Sequence, residues 1–198
     1  MEIYNSTMKI IKLLSKFAPV YSILGNVWTS DKNVKKEEKK LGVKIPHLVF
    51  NMRKIKGFNI VKNSIRRIGS FRAGFLEYFV DTNWVKDFKP GDYWKKMREA
   101  KRDSDKAKSI LRKFGKVDIL ICHQPPYGIL DKVTFKGAPK DWKGKHAGSK
   151  VILDYIKKYK PKIVLCGHIH EGKGKKKIGK TMIYNAGCCG DYLLLNIK

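Results

Sequence analysis

The stretch Lys162-Ile-Val-Leu-Cys-Gly-His-Ile-His170 is the most informative part of the sequence about the fold class. Its apolar run from Ile163 to Cys166 predicts a short buried strand, which begins after Pro161 and ends at Gly167. Two histidines, one residue apart, follow the end of this strand. In open α/β sheets, sites form outside the carboxyl ends of strands, so the stretch predicts both a strand and a site.

Two other apolar strands end in polar side chains in the same way. The run Val117 to Cys122 leads into His123, and Val20 to Leu24 leads into Gly25-Asn26. Taken singly, His123 is typical of a hydrogen-bonded histidine at a strand end, and Gly25-Asn26 is typical of a plain turn. Imidazole suits Zn, Mn, Fe or Ni, and an amide oxygen suits harder cations. Three such strand ends together favour a metal site.

The rest of the chain predicts helices that alternate with strands, which indicates a layered α/β fold in a single domain over residues 1–198. No internal repeat or linker interrupts it. The predicted helices cover 9–17, 35–44, 92–114 (capped by Asp92) and 149–159 (capped by Ser149). The predicted strands include several within 45–80, followed by 181–184 and 192–197. A turn rich in glycine and lysine is expected at 172–177. The aromatic residues Phe71, Phe75, Tyr78 and Phe79 are interpreted as core or rim residues.

The composition excludes several classes of protein. With 198 residues and 42% hydrophobic content, the chain can bury a sizeable core and is not a disordered tail. It has no apolar run near the 18 residues or so of a membrane span, and Met1-Glu2 lacks a basic leader, so we expect a cytoplasmic protein without membrane association. Four cysteines are too few for a disulfide scaffold, which favours reduced thiols.

The charge balance leaves two interpretations open. The formal net charge is +27, and 37 of the 44 basic residues are lysines. Proteins that bind bases or phosphates in a bidentate way tend to use arginine, so a lysine-rich surface does not by itself indicate a nucleic-acid interface. This surface is either a solvated coat of lysine side chains or a nucleic-acid interface. Either surface attracts anionic partners.

The three strand-end motifs resemble the last three of the five motifs that define the calcineurin-like metallophosphoesterases. They are Gly25-Asn26, His123, and Gly167-His168-x-His170, and the flanking stretches 121–131 and 179–187 are also similar to the family. The resemblance covers essentially the whole chain. It implies an α/β/β/α sandwich with two metal ions at one edge.

The resemblance also implies roles for single residues. Asn26, His123 and His168 would ligate the second metal ion, and His170 would ligate the first. The expected ion is Mn, with Fe, Zn or Ni as alternatives, and a metal-bound hydroxide would attack the phosphorus of a phosphate ester. A nucleotide or nucleic acid is among the candidate substrates; the oligomeric state is left open.

The chain departs from the family pattern before the first of these motifs. The family begins with Asp-x-His and Gly-Asp-x-x-Asp, and neither occurs here. We therefore expect an N-terminally truncated, incomplete domain that lacks its first strand units, with an open sheet edge and uncovered apolar surface. Without the bridging carboxylate, one weakly held ion or none is expected. A divergent member that dispensed with the first metal is the alternative.

A second departure follows Asn26, where the family often has a histidine and this chain has Val27 and Trp28. Asp31 is the candidate substitute for catalysis, and the loss of the histidine favours phosphodiesters over monoesters. His146 is a candidate contact for substrate phosphate, assisted by the helix N-terminus that follows it; the alternative is a solvent-facing loop histidine. Trp142 lies among loop lysines and is either a stacking platform for a nucleotide or part of an exposed basic loop.

Two function classes result from these observations. The first is a metal-dependent phosphoesterase, impaired in this truncated chain. The second is a non-catalytic, basic nucleic-acid-binding protein on the same fold. A structural zinc protein is disfavoured because no paired Cys-x-x-Cys spacing occurs.

Overall fold

The computed structural model describes residues 2–26, 31–188 and 191–197. The chain divides into two compact units, Met1–Val61 and Lys62–Lys198. The single domain over 1–198 stays a prediction beside this division. In the described part, the elements follow in this order: α1 (Glu2–Phe17), β1 (Val20–Ser22), α2 (Asp31–Leu41), α3 (Leu48–Met52), β2 (Phe58–Ile60), β3 (Ser64–Ile68), β4 (Phe71–Leu76), α4 (Thr82–Phe88), α5 (Tyr93–Phe114), β5 (Ile119–Cys122), α6 (Lys150–Tyr159), β6 (Ile163–Cys166), a 3₁₀ turn (His170–Gly172), β7 (Gly174–Ile178) and β8 (Thr181–Asn185).

The first unit combines three helices with a small parallel sheet. β1 pairs with β2, with Val20 opposite Phe58. Helix α1 half-buries one face, which includes Tyr4 and Ile11. A second face of α1 leaves apolar side chains exposed, namely Ile10, Leu13, Leu14 and Phe17. These side chains form an exposed apolar face of α1. The uncovered surface expected from missing strand units stays a prediction.

The second unit is built on a six-stranded sheet with the order β3-β4-β5-β6-β8-β7. The four central strands β4, β5, β6 and β8 are parallel, and the edge strands β3 and β7 are antiparallel to their neighbours. This mixed sheet with its helices confirms the predicted α/β fold class. Because the central strands run the same way, their carboxyl ends meet at one edge, where His123 and His168 follow β5 and β6.

The main core of this unit lies between the sheet and the helices α5 and α6. Leu120 and Val164 extend from neighbouring strands into the same apolar cluster as Leu111 and Ile152 of the two helices. Leu120, Val164 and Ile152 are fully buried. Burial of each large apolar side chain stabilises the folded state by about 1.5–3 kcal/mol. This cluster therefore helps to hold the strand ends in place.

Two of the three helix-end residues with a predicted role, Ser149 and Gly115, have that role in the structure. The Ser149 hydroxyl caps α6 by accepting a hydrogen bond from the backbone N–H of Ile152. Gly115, at φ +57°, ends α5 as expected. Asp92 occupies the position before α5, but its side chain makes no capping hydrogen bond.

Two local predictions are wrong, and two short helices have no counterpart among the predictions. The expected turn at 172–177 contains strand β7, because Lys175 to Lys177 pair with β8 through the hairpin that turns at Gly179. Residues 192–197 form no strand. Helices α3 and α4 were not predicted, since both are only five to seven residues long and show too little periodicity.

The edges of the six-stranded sheet carry basic side chains. Arg66 and Arg67 are exposed on β3, and Lys175, Lys176 and Lys177 are exposed on β7. Charged edge strands disfavour pairing with another chain. The open edge expected from a truncated domain stays a prediction. Among the described helices, none is both long and apolar enough to cross a membrane.

Candidate metal and phosphate site

Two of the predicted ligands lie side by side at the carboxyl edge of the sheet. His123 Nε2 and His168 Nδ1 are 3.1 Å apart, and the backbone N–H of Gly167 donates to the carbonyl of His123. The parallel strands β5 and β6 are paired, so their carboxyl ends place both rings at the same edge of the sheet. The structure therefore brings together two strand ends that are 45 residues apart in the chain.

The backbone at His168 adopts an uncommon conformation. Its φ is +70°, and the N–H of Ile169 donates to the carbonyl of Gly167 at 2.8 Å, which makes His168 the centre of a three-residue turn. For a residue other than glycine this region costs about 1–2 kcal/mol, and such strain is typical of functional sites. The turn directs the His168 ring to His123.

Burial sets the protonation state of both rings. Desolvation is the main cause that lowers the pKa of His123 to about 4, and the nearby charges of His168 and His170 act in the same direction. Desolvation also lowers the pKa of His168 to about 4; His170 adds to this effect and Glu171 opposes it. Both imidazoles are therefore neutral near pH 7, as metal ligands must be.

The separation of the two nitrogens fits a shared metal ion. At 3.1 Å the two nitrogens lie at hydrogen-bond distance from each other, and the same two atoms would hold a metal ion. Across residues 2–26, 31–188 and 191–197, no group of three His, Cys, Asp or Glu side chains is arranged to hold a metal. Among the described residues, this pair thus offers two imidazoles to an ion, and no third His, Cys, Asp or Glu side chain completes the group.

The remaining predicted site residues stay predictions. His170 begins the 3₁₀ turn, and its charge acts on both His123 and His168. Asn26 belongs to the first unit. Asp31 begins α2, but its side chain, like Val27 and Trp28, lies outside the described part of the chain.

Tyr78 is a site residue that the sequence analysis placed among core or rim aromatics. It follows β4, and its ring centroid lies 5.4 Å from the centroids of both His123 and His168. Burial, with a smaller effect of Asp103, raises the pKa of its phenol, which stays protonated. A third strand end thus contributes to the site. The available signal was the position of Tyr78 two residues beyond an apolar strand.

A buried amide fixes the turn that carries His168. The Nδ2 group of Asn185 donates to the carbonyls of Ile169 and Leu130, and its Oδ1 accepts from Gly187. Asn185 has no exposed surface. Its three hydrogen bonds connect the end of β8, the histidine turn and the loop after His123, so it positions the site.

The loop after His123 is fixed to the histidine turn at a second point. The Glu171 carboxylate accepts hydrogen bonds from the backbone N–H groups of Thr134 and Phe135, at 3.0 and 3.2 Å. A side chain at Gly172 would collide with the carbonyl of Leu130. Only glycine at this position therefore lets the loop pack directly against the turn.

His146 is held by a buried carboxylate. Its Nδ1 lies 2.7 Å from Oδ1 of Asp131, whose other oxygen accepts from the N–H groups of Gly128 and Gly148. The expected assistance of the helix N-terminus is wrong. The first N–H groups of α6 already donate to protein side chains, namely those of Asn83, Asp81 and Ser149.

Trp142 and the cysteines of the strands contribute to packing. The Trp142 ring lies edge-on to Phe88 and Trp84, with centroid distances of 5.2 and 6.0 Å. It joins a small cluster there and does not form a free stacking platform. Cys122 and Cys166 are buried, and desolvation is the main cause that raises the pKa of both thiols, to about 12 for Cys166. They are inert core residues, as predicted.

Comparison with known families supports the resemblance found in the sequence. The family model described as metallophosphoesterase, calcineurin superfamily, matches residues 87–198. Metallophosphoesterase domain-containing protein 1 of Homo sapiens is 40% identical over 74 residues, which cover 37% of this chain and 21% of that protein. The Mus musculus protein of the same name matches to the same extent. The matched part thus spans about a fifth of the length of these curated relatives.

One solved structure shows a similar fold. One crystal structure aligns with a TM-score of 0.56 and 15% identity, covering 94% of this chain and 64% of that one. The crystal structure of TT1561 of Thermus thermophilus aligns with a TM-score of 0.48 and 15% identity, covering 93% and 68%. At this identity, the first of these likenesses supports the fold alone.

Proposed function

Because the chain belongs to the calcineurin superfamily of metallophosphoesterases, we propose that it hydrolyses phosphate esters with a divalent metal ion and prefers phosphodiesters to monoesters. The observation that carries this proposal is the pair of neutral imidazoles of His123 and His168, 3.1 Å apart at the carboxyl edge of the parallel strands. Sheet edges of this kind are where α/β proteins bind their ligands.

We assign His123 and His168 as ligands, with His170 as a third candidate. Mn²⁺ is the proposed ion. When bound, it would supply Lewis-acid stabilisation of the phosphoryl oxygens and an activated water. Imidazole ligands bring no negative charge, so they offset the charge of a second ion poorly, and we propose one weakly held ion for this chain.

The residues around the ligands would position the imidazoles. Tyr78 packs against both rings, and Asn185 fixes the turn that carries His168. The preference for diesters is supported by the sequence Gly25-Asn26-Val27, since valine provides no proton donor where the family often has one. The truncation inferred from the sequence stays a prediction.

Hydrolysis assays with a metal-loaded protein test this proposal. After loading with Mn²⁺ and desalting, the chain should hydrolyse bis(p-nitrophenyl) phosphate faster than p-nitrophenyl phosphate. His168→Gln should lower kcat/KM by about 10²-fold or more and release the ion. His47→Gln, which alters a histidine in the first unit, is the matched control and should leave kcat/KM within twofold. Equal activity of both variants would refute the assignment of His168.

A basic nucleic-acid-binding function is the second candidate, and the charge distribution favours it. The net charge is +27, and both edge strands of the large sheet expose basic side chains. A polyanion would be attracted to such a surface without any metal.

Salt dependence separates the two functions. A nucleic-acid-binding protein should retain a single-stranded oligonucleotide in EDTA, with log K falling linearly as log salt rises. The phosphoesterase should require Mn²⁺ for turnover and show no tight metal-free retention at about 0.15 M salt. Tight retention in EDTA together with no turnover would favour the second candidate.

A further inference from the structure

We propose that His146, oriented by the buried Asp131, donates a proton to the leaving-group oxygen when the phosphate ester is cleaved. This inference rests on the proposed phosphoesterase function and adds a catalytic residue to it. His146 and Asp131 both lie in the loop between His123 and α6, outside the ligand set proposed above.

The first support is the way in which Asp131 is held. It is 1% exposed, and three hydrogen bonds of 2.7–2.9 Å fix its carboxylate, from His146 and from the N–H groups of Gly128 and Gly148. A side chain at Gly148 would meet Oδ2 of Asp131 at 2.7 Å. The carboxylate is therefore a rigid support for its side-chain partner, the imidazole of His146.

The second support is the tautomer that this contact imposes. An ionised carboxylate only accepts hydrogen bonds, so the nitrogen beside it, Nδ1 of His146, must carry a hydrogen. Nε2 is then the nitrogen that exchanges a proton with a ligand. The His146 side chain keeps 39% of its surface exposed, whereas Asp131 is almost fully enclosed. The imidazole of His146 is therefore partly accessible, whereas its carboxylate partner is enclosed.

The third support is the position of the pair relative to the ligand turn. Leu130, the neighbour of Asp131, accepts a hydrogen bond from Asn185, which also donates to Ile169 between the two histidines of the turn. The Tyr127 and His146 ring centroids are 5.5 Å apart, and Tyr127 lies four residues after His123. Two hydrogen bonds of Asn185 therefore join the loop that carries Asp131 to the turn that carries His168.

The other four histidines of the chain have other proposed roles or positions. The chain has five histidines. His123, His168 and His170 are the proposed ligands, and His47 belongs to the first unit, where it pairs with Glu38. His146 is the remaining imidazole, and imidazole is the side chain best suited to proton transfer near neutral pH.

A water oxygen forms a bond to phosphorus and gives up a proton to the solvent. The bond from phosphorus to the leaving oxygen breaks, and its electron pair stays on that oxygen. His146 enters the step as the imidazolium, with a proton on each ring nitrogen. Its Nε2 proton moves to the same oxygen, which leaves the neutral imidazole with its hydrogen on Nδ1. The imidazole then regains a proton at Nε2 from the solvent. Asp131 remains a carboxylate throughout.

Two substrates that share thymidine 5′-phosphate and differ only in the leaving group test the proposal. A p-nitrophenolate leaves without a proton, whereas the sugar alkoxide of a thymidine dinucleotide needs one. His146→Gln should lower kcat/KM by about 10²-fold or more for the dinucleotide and by less than threefold for the p-nitrophenyl ester. His47→Gln is the matched control. Equal losses on both esters, or no loss on either, would overturn the assignment.

If the wild-type chain hydrolyses neither ester, the proposed phosphoesterase function is refuted. A second measurement then tests the contact of His146 with phosphate separately. Inorganic phosphate is then titrated into the protein while the histidine ring signals are followed by NMR. Saturable shifts of His146, with His47 unmoved, would support a phosphoryl contact at this nitrogen. No shift of His146 at about 10 mM phosphate, well above ordinary substrate KM values, would overturn it.

Discussion

Burial of the facing imidazoles of His123 and His168 has a consequence for stability. Their pKa values are lowered from 6.5 to about 4, so the unfolded chain binds more protons than the folded chain between these limits. The free energy of unfolding then falls as the pH drops from about 6.5 to 4, because unfolding takes up protons.

We therefore predict acid destabilisation of the metal-free protein. The free energy of unfolding should decrease by roughly 2–3 kcal/mol for the pair from pH 7 to pH 4.5, since both rings keep some solvent contact and share one interaction. Urea unfolding in EDTA at several pH values measures it. In His123→Gln, which cannot protonate, the decrease should be smaller; an unchanged pH profile would contradict the assignment.

Asn185 is the residue on which the site geometry depends most directly. Asn185→Ala would leave the buried carbonyls of Ile169 and Leu130 without their amide donor. The expected cost is about 2–4 kcal/mol, together with weaker Mn²⁺ binding. Urea unfolding and Mn²⁺ titration measure these effects. Asn59→Ala, at an exposed amide, should cost less than about 0.5 kcal/mol; similar losses in both variants would argue against a specific role.

At the scale of elements, β7 shows how charge allows a strand to lie at an edge. Lys175 to Lys177 pair with β8 along one edge of the strand, and all three cationic side chains are exposed. The three consecutive lysines predicted a turn and not a strand, because lysine is uncommon in strands. The same charge protects the edge from association.

Neutralising that edge should promote association of the chain. We expect Lys175, Lys176 and Lys177→Gln, changed together, to raise light scattering during incubation, while the monomer remains folded. The matched control changes Lys113, Lys157 and Lys158→Gln, which removes the same charge from exposed helical positions. Equal scattering by the two triple variants would indicate that net charge, and not the edge, governs solubility.

At the scale of the whole molecule, the division after Val61 is a testable property. The unit Lys62–Lys198 contains the six-stranded sheet, its buried core and the facing pair His123 and His168. Its contacts are largely internal, so we expect the fragment 62–198 to fold independently with a cooperative unfolding transition.

Circular dichroism and amide NMR of the fragment 62–198 check this expectation. Dispersed spectra and a single urea transition would support it, and the two histidine rings should keep their low pKa. A collapsed or unfolded fragment would show instead that the first unit is needed for folding, in agreement with the single domain predicted from the sequence.

Much of this protein follows from local sequence. The apolar runs that end at Cys122 and Cys166, the cap at Ser149 and the stop at Gly115 are short-range signals, because strand period and helix capping involve residues a few positions apart. The presence of His123 and His168 at strand ends could be predicted for the same reason.

Which side chains meet at the site depends on the folded sheet. Tyr78, Asn185 and the pair of Asp131 and His146 have their roles through contacts between segments 15 to 90 residues apart. Strand order and register determine such contacts, and neither periodicity nor turn chemistry encodes them locally. Local sequence thus specified the strand ends and their histidines, whereas packing of the sheet specified their neighbours, their neutral charge and their separation.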